Sequence, residues 1–181
     1  MLRNSDILTG AAVLTIKEKC QMSIKIVKAF FKQHDMENKI MEFDTSSATV
    51  ELAAKAVGII PARIAKTLSF RQKDGGGFLI VTAGDAKIDN VKFKGIFHIK
   101  AKMLSPAEVL ELTGYAVGGV CPFGINKQIP VYLDISLKRF QTVFPACGSS
   151  NSAIELDCET LFKLAGAREW IDVCKDWDMT L

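Results

Sequence analysis

Between Gly114 and Gly124 the chain reads Gly-Tyr-Ala-Val-Gly-Gly-Val-Cys-Pro-Phe-Gly, four glycines and a proline in eleven residues. No regular helix or strand runs through such a stretch, because glycine loses the most backbone freedom on ordering and proline lacks the amide proton that element interiors use. Patterned segments flank it on both sides, so the fold has to close around a bare loop. Gly118 and Gly119 can adopt positive φ and leave their amides unshielded, while Pro122 fixes the exit. Consecutive exposed amides make a concavity suited to an anion or a developing oxyanion. A tight connection that uses glycine for geometry alone has the same composition.

Around this loop the pattern alternates between helical and extended. Ile24, Val27, Phe30 and Phe31 recur at helical spacing and predict a helix from Ser23 to His34. A short strand is expected over Asn38 to Phe43. The N-cap cluster Asp44-Thr45-Ser46-Ser47 precedes an alanine-rich helix, Ala48 to Val57, stopped at Gly58. Ile64 to Phe70 and the apolar run Phe78 to Ala83 read as strands joined by a hairpin at Asp74-Gly75-Gly76-Gly77. Further on, Asp89 to Phe97 reads as a helix and Ile99 to Met103 as a strand. Ser105-Pro106 with Glu108 opens a helix that reaches Leu112. Strands over Val131 to Ile135, Thr142 to Ala146 and Ala153 to Leu156 follow, with a turn at Ser136 to Phe140, and Asp157 caps a last helix to Leu164. No repeat or linker divides the series. The expectation is one compact α/β (α+β) domain with a mixed, largely antiparallel sheet flanked by helices. Its expected span is residues 22–167, with an N-terminal extension over 1–21 and a C-terminal tail over 168–181.

Composition excludes more than it selects. At 181 residues with 49% apolar side chains the chain can bury a real core. Its five cysteines, Cys20, Cys121, Cys147, Cys158 and Cys174, include no Cys-x-x-Cys, and the two histidines, His34 and His98, lack ligand spacing. No disulfide framework, zinc site or other cofactor is indicated, which suits a reducing, cytoplasmic setting. Ile7 to Ile16 is too short for a membrane span and lacks the cleavage pattern of a secretory leader. A net charge of +3 does not by itself imply nucleic acid, but Lys87, Lys92, Lys94, Lys100 and Lys102 fall within sixteen residues while the last twenty-seven lean acidic. That local excess suits a phosphate backbone, and equally a solvated helix face.

Several side chains are candidates for chemistry. Lys66 stands in the apolar stretch Ile64-Ala65-Lys66-Thr67-Leu68, where partial desolvation would make it a fixed cation for a phosphate or carbonyl oxygen. Strand alternation also permits it on a solvent face. Cys121 inside the loop could be a nucleophile, though no histidine adjoins it in sequence, and a small residue filling a tight turn has the same appearance. Val81-Thr82-Ala83-Gly84-Asp85 ends a buried strand where pockets are often built. Ser149-Ser150-Asn151-Ser152 after Gly148 is a polar turn that could line one.

Taken together, Thr45-Ser46-Ser47-Ala48-Thr49, Ile64 to Leu68 with its Lys-Thr pair, Thr82-Ala83-Gly84-Asp85, Gly118-Gly119-Val120-Cys121-Pro122 and Gly148 to Leu156 resemble, in this order, the YbaK-like aminoacyl-tRNA deacylases. That family includes the editing domain inserted in bacterial prolyl-tRNA synthetase, and the resemblance spans about Met22 to Ala167. It implies a compact mixed-sheet domain acting without a metal or cofactor on the ester joining a wrong amino acid to the tRNA 3′ end. By the same resemblance Lys66 holds the substrate, and Gly118, Gly119, Val120, Cys121 and Pro122 surround the scissile ester. Thr45, Ser46, Thr67, Gly84, Asp85, Gly148 and Ser149 would line the amino-acid pocket, and Lys87, Lys92 and Lys94 would meet tRNA phosphates. The implied partners are mischarged aminoacyl-tRNA and prolyl-tRNA synthetase, with no membrane. Some members that act on cysteinyl-tRNA carry a tyrosine on the first pocket strand, where this chain has Glu42-Phe43. The Thr45 to Thr49 segment looks closer to free-standing relatives that clear alanine, serine or 2-aminobutyrate. Two other readings are compatible with the residues: a non-catalytic module that binds aminoacyl-tRNA or a synthetase, and a hydrolase built on Cys121.

Overall fold

The structure is a computed structural model, and it describes residues 16–125 and 128–177, with side chains from Met22 onward. A six-stranded mixed sheet forms its centre. In chain order its members are β2 (Ile64–Arg71), β3 (Gly77–Ala83), β5 (Val131–Asp134), β6 (Thr142–Pro145), β8 (Leu156–Asp157) and β9 (Trp170–Ile171), arranged β8-β6-β2-β3-β5-β9. The long β2–β3 ladder is antiparallel and runs from Ala65 opposite Ala83 to Arg71 opposite Gly77. β6–β8 is also antiparallel, whereas β2–β6, β3–β5 and β5–β9 are parallel. Two short antiparallel pairs lie outside it: β1 (Met41–Glu42) with β7 (Ser152–Ala153), and β4 (Lys87–Ile88) with β10 (Cys174–Lys175).

β3 is buried at every position, as its unbroken apolar run requires of a strand with neighbours on both sides. The turn that feeds it uses Gly75 and Gly76 at φ 93° and 71°, so the local composition sets the hairpin. Phe70 and Phe78 on the paired strands meet Phe93 and Phe97 of α3 (Asn90–Phe97) and Tyr132 of β5, with ring centroids 4.6–6.1 Å apart. Such pairs add about 0.5–1.5 kcal/mol each beyond area burial. A second aromatic contact joins α1 (Ile16–Lys32) to the glycine-rich loop: Phe31 and Phe123 are 4.8 Å apart, and the Tyr115 hydroxyl donates to Phe123 O at 2.6 Å. The Ser23 hydroxyl donates to Gly114 O at 3.0 Å. α1 therefore seats the loop as well as burying Val27.

The helix ends follow local chemistry. α2 (Val50–Val57) starts at Thr49, whose hydroxyl accepts from Leu52 N, and stops at Gly58 at φ 81°. α4 (Pro106–Thr113) has the full capping box between Ser105 and Glu108, proline in the first turn and a left-handed Gly114 at its end. Asp157 caps α5 (Cys158–Leu164).

Four expectations are corrected. Over Asn38 to Phe43 only Met41–Glu42 is a strand, because Glu37–Lys39 forms a 3-10 turn. Ile99 to Met103 is not a strand. It lies extended along the end of β2, with one bridge from Phe70 to Met103 and bonds from Arg71 N to Lys102 O and Leu104 N to Ser69 O. Ala153 to Leu156 is divided: Ser152–Ala153 pairs with β1, and Leu156–Asp157 with β6. The fourth concerns the ends. The first helix begins at Ile16, inside the expected extension, and the expected tail carries β9 and β10 with Ile171, Val173 and Cys174 buried. The rest of the extension, residues 1–15, lies outside the described residues, as do residues 178–181 of the tail. No helix among the described residues is long and apolar enough to cross a membrane.

Candidate functional site

One face of β2 opens into a cavity of 430 Å³. Its walls come from five segments: Ser47 to Ala53 leading into α2, Ile64 to Ser69 of β2, Met103 to Val109, the loop residues Val117, Gly118 and Val120, and Phe144 to Ala153. Phe144 and Ile64 share a small apolar cluster with Ala54, which packs this part of the wall.

Lys66 and Gly118 both line this cavity. The Lys66 ammonium donates to the main-chain oxygens of Gly84 at 2.9 Å and Ala86 at 2.5 Å. An ammonium has three protons, so one donor remains for a bound molecule. Desolvation lowers the Lys66 pKa below its usual value, while the nearby Cys174, Asp85 and Glu51 pull it upward. Next to it, the Thr67 hydroxyl is buried and makes no hydrogen bond among the described residues. A buried hydroxyl left unpaired costs about 1–3 kcal/mol.

The loop is shaped by close backbone approach. Gly118 has φ 94°, and a Cβ there would lie 3.0 Å from Ala48 Cβ. A Cβ on Gly119 would meet the backbone of Gly148 and Ser149 at 2.8–2.9 Å. Gly119 N–H is used on Ala116 O, but the Gly118 and Val120 amides have no acceptor among the described residues. Lys66, Gly118 and Val120 thus line the same cavity, and the amides of the last two are free.

The other expected site residues fall around this centre. Thr45 and Ser46 are exposed and do not line the cavity, although Ser46 Oγ accepts from Ala48 N at 3.3 Å and Ser47, Ala48 and Thr49 form the wall. Gly84 and Asp85 lie beneath Lys66. A Cβ at Gly84 would be 2.1 Å from Pro61 O, and Asp85 pairs with Arg139. Gly148 and Ser149 back the loop, with the Ser149 hydroxyl donating to Ser152 Oγ at 2.7 Å. Cys121 and Pro122 are buried behind it. Burial pushes the Cys121 thiol up to about 12, which disfavours a thiolate at neutral pH and argues against Cys121 as a nucleophile. Iodoacetamide at neutral pH should leave any activity intact, and Cys121→Ala should keep it within about twofold, since only packing is lost. Neither histidine lines the cavity. Among the described residues, no group of three His, Cys, Asp or Glu is placed to hold a metal ion.

The lysine-rich segment is partly neutralised by the acidic end of the chain. Lys92 bonds Asp172 at 2.7 Å and Cys174 O at 3.0 Å, and Lys87 faces Asp176 at 3.6 Å. Lys94, Lys100 and Lys102 have no ion pair among the described residues. Lys94 and Lys100 border a surface groove with Val91 and Ala101, and the strip from Lys100 to Leu104 joins that groove to the cavity.

The model of the aminoacyl-tRNA editing domain matches residues 44–164, two thirds of the chain, and takes in every wall segment. The chain belongs to the aminoacyl-tRNA editing domain family. Within it, the chain is 59% identical to the uncharacterized protein YwhH of Bacillus subtilis, over 87% of this chain and all of that one. It is 29% identical to the Enterococcus faecalis protein named "Putative Cys-tRNA(Pro)/Cys-tRNA(Cys) deacylase EbsC", over 84% and 94% of the two chains. A crystal structure described as "a putative trans-editing enzyme for prolyl tRNA synthetase" superposes with a TM-score of 0.76 at 30% identity, covering 84% of this chain and 97% of the other. The mixed sheet is the fold that this chain shares with that structure.

Proposed function

We propose that this protein is a free-standing editing deacylase that hydrolyses the ester of a mischarged aminoacyl-tRNA carrying a small amino acid such as alanine, serine, cysteine or 2-aminobutyrate, with tRNA-Pro as the acceptor. The observation that supports this reading is that Lys66, Gly118 and Val120 line one cavity. In this scheme the third Lys66 proton and the amides of Gly118 and Val120 bind the ester carbonyl as it becomes a tetrahedral oxyanion. Each preorganised donor of this kind is worth about 2.7–4 kcal/mol in the transition state. A water, or a hydroxyl of the substrate itself, attacks the held ester, so no protein nucleophile and no metal is required. The apolar wall of Ile64, Phe144 and Ala146 suits a small aliphatic side chain.

The tRNA reaches the cavity along the Lys94–Lys100–Lys102 strip in this reading, because Lys87 and Lys92 already have acidic partners. Replacing Lys94 and Lys100 together with alanine should raise KM with little change in kcat and reduce the salt slope of tRNA binding by about 1–2. Lys87→Ala should change that slope less. The decisive screen measures release of amino acid from tRNAs charged with alanine, serine, cysteine, threonine and 2-aminobutyrate at substoichiometric protein. Multiple turnovers on at least one are expected; binding without turnover would make the chain a non-catalytic module.

A further inference from the structure

Lys66 is held by main-chain oxygens, not by a carboxylate. Its two acceptors, Gly84 O and Ala86 O, stand on either side of Asp85. The Asp85 side chain turns to Arg139, which grips it at two points: Nη1 donates to Oδ2 at 3.0 Å and Nη2 to Oδ1 at 2.5 Å. This fork fixes orientation as well as distance. The Arg139 side chain is only 5% exposed, and its Nε donates to Ser136 O at 2.9 Å. Its guanidinium lies over the rings of Phe140 at 4.8 Å and Trp177 at 5.0 Å.

The same segment is held from a second side. The buried Asp134 carboxylate accepts from Ser136 N at 2.9 Å and Val173 N at 2.8 Å, tying the Arg139 turn to the C-terminal segment. Ser136 Oγ accepts from Ala83 N, Asp89 N–H donates to Val173 O, and Ile88 pairs with Cys174. Trp177, Val173 and Cys174 all lie past residue 164, where the family match ends. Buried ion pairs give little net stability against their desolvation, so the Arg139–Asp85 fork acts mainly through geometry.

We propose that Arg139, seated by Trp177, is a positioning residue of the site, fixing Asp85 so that the carbonyls of Gly84 and Ala86 present the Lys66 ammonium to the cavity. This rests on the Lys66-centred deacylase reading and extends the working site to the C-terminal segment. Arg139→Lys keeps the charge and loses the fork. Trp177→Ala loses the ring, and Trp177→Phe keeps one.

Arg139→Lys and Trp177→Ala should each lower kcat about tenfold or more, with KM and the circular dichroism spectrum unchanged, because misplacing a reacting group by ~1 Å carries such a cost. Trp177→Phe should retain wild-type kcat. Adding Arg139→Lys to Lys66→Ala should cause no further loss, since Arg139 works through the missing amine. In the free protein, the side-chain ¹H–¹⁵N signal of the Lys66 ammonium should shift or broaden in Arg139→Lys and Trp177→Ala. Folded variants with full kcat, a further loss on the Lys66→Ala background, or an unchanged ammonium signal in both variants would overturn the proposal. A wild-type protein that deacylates none of the mischarged tRNAs would overturn the deacylase reading instead, and the ammonium signal would still decide this one.

Discussion

Lys66→Ala should lower kcat/KM for ester hydrolysis roughly 10²–10³-fold, the scale set by removing one preorganised donor from an oxyanion. The amine is half-buried, and its removal takes a donor from the Gly84 and Ala86 carbonyls, so a stability cost of about 1–3 kcal/mol is expected beside the loss of activity. Single-turnover release of amino acid from mischarged tRNA separates this loss of chemistry from a loss of binding. Lys66→Arg should not restore the rate, because a planar guanidinium cannot reproduce the bonds to Gly84 O and Ala86 O while also offering a proton to substrate. Full activity in Lys66→Ala would remove the basis of the proposed reaction.

The second large effect is expected at Gly119, where the obstacle is backbone on both sides. An alanine methyl would overlap Gly148 and Ser149 main-chain atoms that no rotamer change can move. The loop must then lift from the Gly148 turn, which carries the free Gly118 and Val120 amides out of register with Lys66. A loss of roughly 10²-fold in kcat is expected from such a displacement, with a stability cost of about 1–3 kcal/mol for overpacking. Gly118→Ala should be milder for packing, since its nearest obstacle is the Ala48 side chain, although its φ of 94° still favours glycine. Comparing urea midpoints with deacylation rates for the pair tests this, and a fully active, fully stable Gly119→Ala would show that the loop can yield.

Elements whose signals are local could be read from residue order. The capping box at Ser105 with Pro106 and Gly114, the glycine hairpin before β3 and the Asp157 cap each depend on a few neighbouring residues, and each is where the pattern places it. Elements defined by a distant partner could not. Ile99 to Met103 has strand composition but pairs with β2 through a single bridge, Phe70 to Met103. Leu156 parts company with Ala153 because their partners, Val143 and Met41, belong to different sheets. At the site, Lys66, Thr67, Gly118 and Val120 border the cavity, while Thr45 and Ser46 stop one turn short of it. Alternation left the facing of Lys66 open, because its environment is made by Gly84, Ala86 and Cys174 from other parts of the chain. Arg139 carries no local signal at all: only the fold shows its guanidinium buried under Trp177.

The parallel junction between β2 and β6 sets Ile64 beside Phe144, eighty residues apart, and the cavity wall continues to Ala153. A nascent chain therefore carries the amine and the glycine loop well before it has the strand that walls them in. Contacts of such long range are slow to form, so the editing centre should mature late, after the β2–β3 hairpin has already condensed. Ribosome-stalled chains ending before Phe144 should consequently display a protease-resistant hairpin without any capacity to retain an aminoacyl ester.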